Sequence, residues 1–260
     1  MVNYLSEIWR CRFFWLHLVK MDLRTRYRRS ILGLGWSLLH PLAMMTILCL
    51  AFHKVMQMPI REYAPYLLAG LAVWNYLLSS ALSGCHCFFQ GESYIRQYPA
   101  PFAIYPLRTA LGGTVHFLIA LSITACLGLY FRGFTNLISL VSLLPTIIML
   151  FILAWSISVL AGFANVHFQD TQHLTDVGFQ MLFYLTPVIY SPERLGNPTI
   201  LEFMKFNPMA YVLQLVRAPI VEGRFPPPEV YLIASSTILV LFLAASLTLA
   251  RLQRKLVFHL

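Results

Sequence analysis

Charge is what this sequence has least of. Of its 260 residues only 11% are Asp, Glu, Lys or Arg, 58% are hydrophobic, and the mean hydropathy is +0.69. A soluble domain carries about 25% charged residues. A packed core in a chain of this length does not account for the deficit, so lipid is the solvent. The expected fold is all-α, a polytopic integral membrane protein. Acids are scarcest, ten in all, and none sits at the centre of a hydrophobic segment. That speaks against an ion-driven carrier, which buries a carboxylate mid-membrane. No Gly-x-x-x-x-Gly-Lys-[Ser/Thr] loop occurs, so the chain has no phosphate cradle for ATP. Cys11, Cys49, Cys85, Cys87 and Cys126 are odd in number and lie mostly in apolar runs, as small hydrophobes. Cys85-His86-Cys87 lacks the spacing and the second pair of a tetrahedral zinc site, so no metal is expected. Nor does the N-terminus carry the short apolar core and small residues of a cleavable signal.

What charge there is collects at the ends. The formal charge is +9, with seven of the 19 Lys/Arg before Ser30 and three in the last ten residues. That placement suits anionic headgroups or an acidic partner at a membrane face, and no nucleic acid is expected. Arg24, Arg26, Arg28 and Arg29 run directly into an apolar stretch that lasts to His53-Lys54, which marks the cytoplasmic edge of a membrane span. Gly33 and Gly35 permit close backbone approach at the entry, and Pro41 interrupts the hydrogen-bond ladder. Upstream, Tyr4, Ile8, Cys11, Trp15 and Leu18 share one side of a helical wheel, opposite Ser6, Arg10, His17, Lys20 and Arg24. Residues 1–30 therefore read as an amphipathic interfacial helix with a basic cluster, and residues 31–260 as the transmembrane domain.

Six hydrophobic segments follow, at about 33–52, 65–88, 107–131, 140–166, 174–190 and 230–250, against the ~20 apolar residues a crossing needs. Six crossings put both termini on one side. Twelve Lys/Arg then fall on that side and seven on the other, where Glu193, Glu202, Glu222 and Glu229 offset them. Both termini are thus expected in the cytoplasm.

Between the fifth and sixth segments, residues 191–229 hold too many prolines for a long helix. Within them Met209, Val212, Leu213, Val216 and Ile220 recur at helical spacing. This helix is too short to span, and is either interfacial or re-entrant. On the cytoplasmic side, Gly91 and Pro99 bracket one or two helical turns in a long polar loop, a partner-docking element or an ordinary connector. In the fifth segment, Phe179 and Phe183 repeat at i, i+4, with Tyr184 and Tyr190 beyond. Rings with a polar handle suit a path for sugars, although most membrane aromatics serve as interface belt or packing.

Four stretches carry a resemblance: Arg26-Tyr27-Arg28-Arg29-Ser30-Ile31-Leu32-Gly33 with Trp36-Ser37-Leu38 and Pro41; Asn165-Val166-His167-Phe168-Gln169-Asp170; Leu185-Thr186-Pro187-Val188-Ile189-Tyr190; and Asn207-Pro208-Met209-Ala210-Tyr211 with Arg217 and Gly223. In that order they resemble the membrane subunits of type-2 ABC exporters for polysaccharides and polyol phosphates, the O-antigen, capsule and teichoic-acid permeases. The sequence departs from that pattern at His167 and Gln169, where the family commonly has an aromatic residue and an arginine.

The resemblance implies a homodimer in the cytoplasmic (inner) membrane, bound to two copies of a separate ATPase subunit. The ATPase would hold ATP and Mg, and the permease would need no cofactor of its own. A lipid-linked glycan would move outward between the two membrane subunits. Glu92, Ser93, Tyr94, Ile95, Arg96 and Tyr98 would fall on the coupling helix that docks on the ATPase. Trp36, Phe179, Phe183, Tyr184 and Tyr190 would line the path. Met209, Tyr211, Val212, Val216 and Ile220 would form the outer gate. No catalytic residue is expected. The alternatives are a permease of the same fold for a drug or another lipid, and a multispan acyl or glycosyl transferase using His167, Asp170 and His173.

Overall fold

The computed structural model describes residues 2–28, 33–97, 100–133, 137–192, 202 and 205–256, and among these every regular element is helical. In chain order the helices are α1 (Val2–Arg10), α2 (Arg12–Tyr27), α3 (Trp36–Phe52), α4 (Ile60–His86), α5 (Glu92–Gln97), α6 (Ile104–Arg132), α7 (Leu143–His167), α8 (Thr171–Leu185), α9 (Pro208–Arg217) and α10 (Pro228–Leu256). Short 3₁₀ stretches, Gly33–Gly35 and Leu137–Ser142, lead into α3 and α7, and a π-helical turn, Ala218–Glu222, continues α9.

Among the described residues, four stretches are long and apolar enough to cross a membrane: Ile60–His86, Ile104–Arg132, Leu137–His167 and Pro228–Gln253. With 17 and 15 residues, α3 and α8 reach about 25 and 22 Å at 1.5 Å per residue, short of ~30 Å of hydrocarbon. Both nevertheless connect opposite ends of the bundle. One end carries α2, whose Asp22 pairs with Arg108 in the first turns of α6, and α5. At the far end Cys49 of α3 packs with Tyr63 and Leu67 of α4 and with Leu127 and Phe131 of α6. Likewise α8 starts just after His167, at the α5 end, and the residues that follow it bond to Tyr63 and Tyr66 at the far end.

The centre of the bundle is α4, which packs against α3, α6, α7, α8 and α9. Its crossing with α7 brings backbone against backbone. A Cβ on Gly84 would lie 2.6 Å from the Ser158 Cα, and one on Gly162 would lie 2.9 Å from the Gly84 carbonyl oxygen. Small residues let the backbones meet, and polar ones then bond across. The Ser158 hydroxyl donates to the Ser80 carbonyl (2.8 Å) and the Asn165 amide to that of Cys85 (2.9 Å). On the other flank Tyr76 stacks on Phe117 of α6 and shares a 2.8 Å hydrogen bond with Thr114.

Several boundaries differ from the sequence reading. The second segment starts at Ile60, five residues earlier than expected, because Pro65 lies in an early turn and costs one ladder bond only. The fifth stops at Leu185: Thr186 precedes Pro187 and is extended (φ −100°, ψ 140°), as residues before proline are. The N-terminal helix breaks at Cys11 and continues through Tyr27, well past Leu18. Its wheel is also used differently. Ile8, Cys11, Trp15 and Leu18 are half-buried or buried in the structure, while Trp9 and Phe13 are 65% and 72% exposed. The expected apolar side thus covers the bundle, and a second aromatic stripe is left facing out. Arg24 and Arg28 are exposed; the Arg26 side chain and Arg29 lie outside the described residues.

Candidate functional site

The irregular segment 186–190 sits where α8 ends, and its backbone carbonyls need partners that a helix would have supplied. Side chains of α4 and α9 supply them. Arg217 donates from Nη1 to the Pro187 carbonyl (2.6 Å) and from Nη2 to that of Val188 (2.8 Å). Tyr63 donates to Ile189 (2.9 Å) and Tyr66 to Tyr190 (2.8 Å). One residue earlier, the Asn207 amide reaches the Leu185 carbonyl (3.2 Å) and the Thr186 hydroxyl (3.2 Å). Five carbonyls and one hydroxyl, from the six residues 185–190, are thus held by four side chains. Arg217 is only 6% exposed, and its guanidinium carbon lies 3.7 Å from the centre of the Tyr66 ring. Gly70 makes the space, since a Cβ there would fall 2.5 Å from the Arg217 Nη2.

The chain reaches Arg217 by a well-capped helix. Asn207 is the N-cap of α9, its Oδ1 accepting from the Met209 N–H (3.0 Å), and Pro208 opens the first turn. Of the expected gate residues, Val212, Val216 and Ile220 are buried while Met209 and Tyr211 are half-buried; α9 packs on α4, α7 and α10. The stripe is spent on packing into the bundle, so α9 is tucked in rather than lying on the surface. Replacing Asn207 by alanine is expected to lower stability by about 1–2 kcal/mol, the usual worth of an N-cap with some of the α8-end bonds added. Chemical denaturation of the purified protein measures it.

The expected path residues divide. Phe179 and Phe183 turn inward and meet the Trp74 ring edge-on, at 5.6 and 5.7 Å. Trp36 is 55% and Tyr184 72% exposed. Tyr190 is half-buried, its hydroxyl donating to the Tyr184 carbonyl (3.1 Å). α8 has no fully buried residue among those described, and Leu174, Val177, Met181 and Leu185 join Tyr184 in leaving it open.

At the opposite end α5 rests on the bundle by one face. Glu92 and Arg96 form an exposed i, i+4 pair (2.9 Å), and Ser93, Arg96 and Gln97 face out. Tyr94 and Ile95 pack inward, Tyr94 edge-on to Phe14 of α2 (5.7 Å). The Tyr105 ring occupies the space a Cβ on Gly91 would need. This clamps α5 between α2 and α6. Tyr98 lies outside the described residues. The transferase trio is spread over an exposed surface: His167 Nδ1 bonds the Phe163 carbonyl (2.8 Å), and Asp170 and His173 are exposed.

Residues 14–221 of this helical bundle match the family model described as ABC-2 type transporter. The chain belongs to the ABC-2 type transporter family. Among its curated relatives, an O-antigen export system permease protein RfbA from Klebsiella pneumoniae is 27% identical over 197 residues, 75% of each chain. Another of that name, from Myxococcus xanthus, is 26% identical over 254 residues, 95% of each chain. The α8-end carbonyl cage of this ABC-2 chain is what the sequence concealed. Tyr63 and Tyr66 come from α4, and Asn207 and Arg217 from the two ends of α9, about 140 residues further along the chain. The one visible signal was a cation, Arg217, inside an otherwise apolar helical stripe.

Proposed function

We propose that this chain is the membrane subunit of an ABC exporter that moves a lipid-linked polysaccharide of the O-antigen, capsule or teichoic-acid class out across the cytoplasmic membrane. The observation that carries the reading is the similarity, over 95% of both chains, to a protein named as an O-antigen export permease. The power would come from ATP and Mg held by a separate ATPase, because no phosphate-binding loop is present in the sequence.

The proposed topology has six spans, adding α3 and α8 to the four long helices, with both termini in the cytoplasm. What supports the added pair is that each joins the two ends of the bundle. The proposed assembly is a homodimer with two ATPase copies. Its support is membership of the ABC-2 family and similarity to proteins named as export permeases. The exposed Leu174, Met181 and Tyr184 of α8 would face lipid or the second copy. The glycan would pass along Trp36 and Tyr184, with α9 closing the outer end.

In this arrangement α5 is the coupling helix. Glu92→Arg reverses its exposed charge and breaks only a surface pair, so the isolated chain should keep its stability within about 0.5 kcal/mol. The variant is expected to lose most of the ATPase that co-purifies with the wild type, as read by affinity capture and ATP hydrolysis. Trp36→Ala should leave that complex intact and lower glycan export. A null strain should accumulate the lipid-linked glycan on the inner face of the membrane. A strain with normal surface glycan would overturn the reading in favour of another cargo.

A further inference from the structure

A cavity of about 530 Å³ opens between α2, α4 and α6 at the α5 end, a size typical of small-molecule sites. Its wall includes Asp22, Ser79, Ser83, Arg108, Thr109 and Gly112. Arg108 is 7% exposed and commits Nε and Nη2 to the Asp22 carboxylate, whereas its buried Nη1 has no hydrogen-bond partner. A guanidinium N–H left unpaired in such a place carries a desolvation cost that a ligand oxygen relieves. The Asp22 side chain is 36% exposed, so its oxygens keep accepting capacity toward the cavity.

We propose that this cavity holds the headgroup of one zwitterionic aminophospholipid, of the phosphatidylethanolamine type. The phosphate accepts from Arg108 Nη1 and the hydroxyl-bearing wall, and the ammonium donates to Asp22. Among the lining residues Asp22 and Arg108 cancel, and the other titratable group is His116. Inside the cavity, unlike at the exposed Lys20, Arg24 and Arg28 of α2, an anionic headgroup would therefore bring an uncompensated charge beside a carboxylate. A zwitterion brings none and matches both members of the pair. Val115 and Ile119, one and two turns beyond Gly112 on the same face of α6, are half-buried and offer the acyl chains an apolar surface. The lipid would then sit at the seam between the N-terminal helix and the bundle. Neither Trp36 nor Tyr184 lines this cavity, and its occupancy is read without transport.

The test is native mass spectrometry of the detergent-purified protein, delipidated and then offered phosphatidylethanolamine, phosphatidylglycerol, phosphatidylcholine or inorganic phosphate in turn. Phosphatidylethanolamine is expected to bind at one per chain. Phosphatidylglycerol, which lacks the ammonium, and phosphatidylcholine, whose quaternary nitrogen cannot donate, should bind about tenfold more weakly, as befits loss of one charge-assisted hydrogen bond. Gly112→Leu adds its side chain where no atom lies within 4 Å of the new Cβ. It should therefore keep its elution volume while losing the lipid. Ser83→Leu blocks the cavity from the opposite wall and should do the same. Equal binding of phosphatidylglycerol or phosphatidylcholine, competition by inorganic phosphate alone, no lipid on the wild type, or full lipid on both filled variants would each overturn the proposal.

Discussion

Replacing Arg217 by methionine is expected to destabilise the protein by about 3 kcal/mol, the sum of two charge-assisted hydrogen bonds and a desolvated cation–π contact, moderated by the modest worth of polar contacts in membranes. The Pro187 and Val188 carbonyls would lose their donors in a part of the fold where little water reaches them. Arg217→Lys should recover part of the loss, since an ammonium keeps the charge but cannot span two carbonyls as the planar fork does. The same residue ties α9 to the end of α8. Both variants should therefore lower export further than their stability alone dictates, with methionine the worse. Thermal unfolding in detergent beside an export assay separates the two effects. A methionine variant within about 0.5 kcal/mol of wild type would refute this account of the cage.

The second large effect belongs to Gly162→Leu. A side chain there would meet the Gly84 carbonyl, the Cys87 sulfur and the Phe88 ring, each 2.9 Å from the new Cβ. Two of these neighbours are fixed, one as backbone and one as a ring fully buried against Phe163 (5.0 Å). The α4–α7 crossing must open, which also strains the bonds from Ser158 and Asn165. Overpacking in a close crossing costs about 1–3 kcal/mol and often more where backbone must move. The expected outcome is a loss above 3 kcal/mol and a sharply reduced yield of monodisperse protein, measured by fluorescence-detected size exclusion. Gly162→Ala, which also places a Cβ there, should show a smaller loss in the same direction.

Hydrophobic run length made the bundle legible in the sequence, because lipid imposes one rule on every residue of a span. The long helices α6 and α7 lie within three residues of their expected edges, while α10 starts two residues early and runs six past its expected end. Proline misled at Pro65, where the helix absorbs it, and informed at Pro187, where it ends one. Periodicity found α9 yet left open what its apolar stripe covers, since depth is a tertiary property. For the aromatics of α8 the i, i+4 spacing of Phe179 and Phe183 was real, but the Trp74 ring that both contact lies about a hundred residues away in sequence. The cage around 186–190 joins side chains from α4 and α9 to carbonyls, groups every residue carries, so sequence holds almost no trace of it. The Asp22–Arg108 pair escaped for the same reason: two ordinary charges 86 positions apart.

The central claim is that this chain moves a lipid-linked polysaccharide outward when a partner ATPase turns over. Inside-out membrane vesicles containing the chain and its ATPase, loaded with labelled lipid-linked glycan on the exposed cytoplasmic leaflet, test it most directly. The account predicts that ATP transfers the label to the vesicle interior, that Trp36→Ala slows the transfer, and that Glu92→Arg abolishes it. Label that stays on the outer leaflet in the presence of ATP and an active ATPase complex would contradict it.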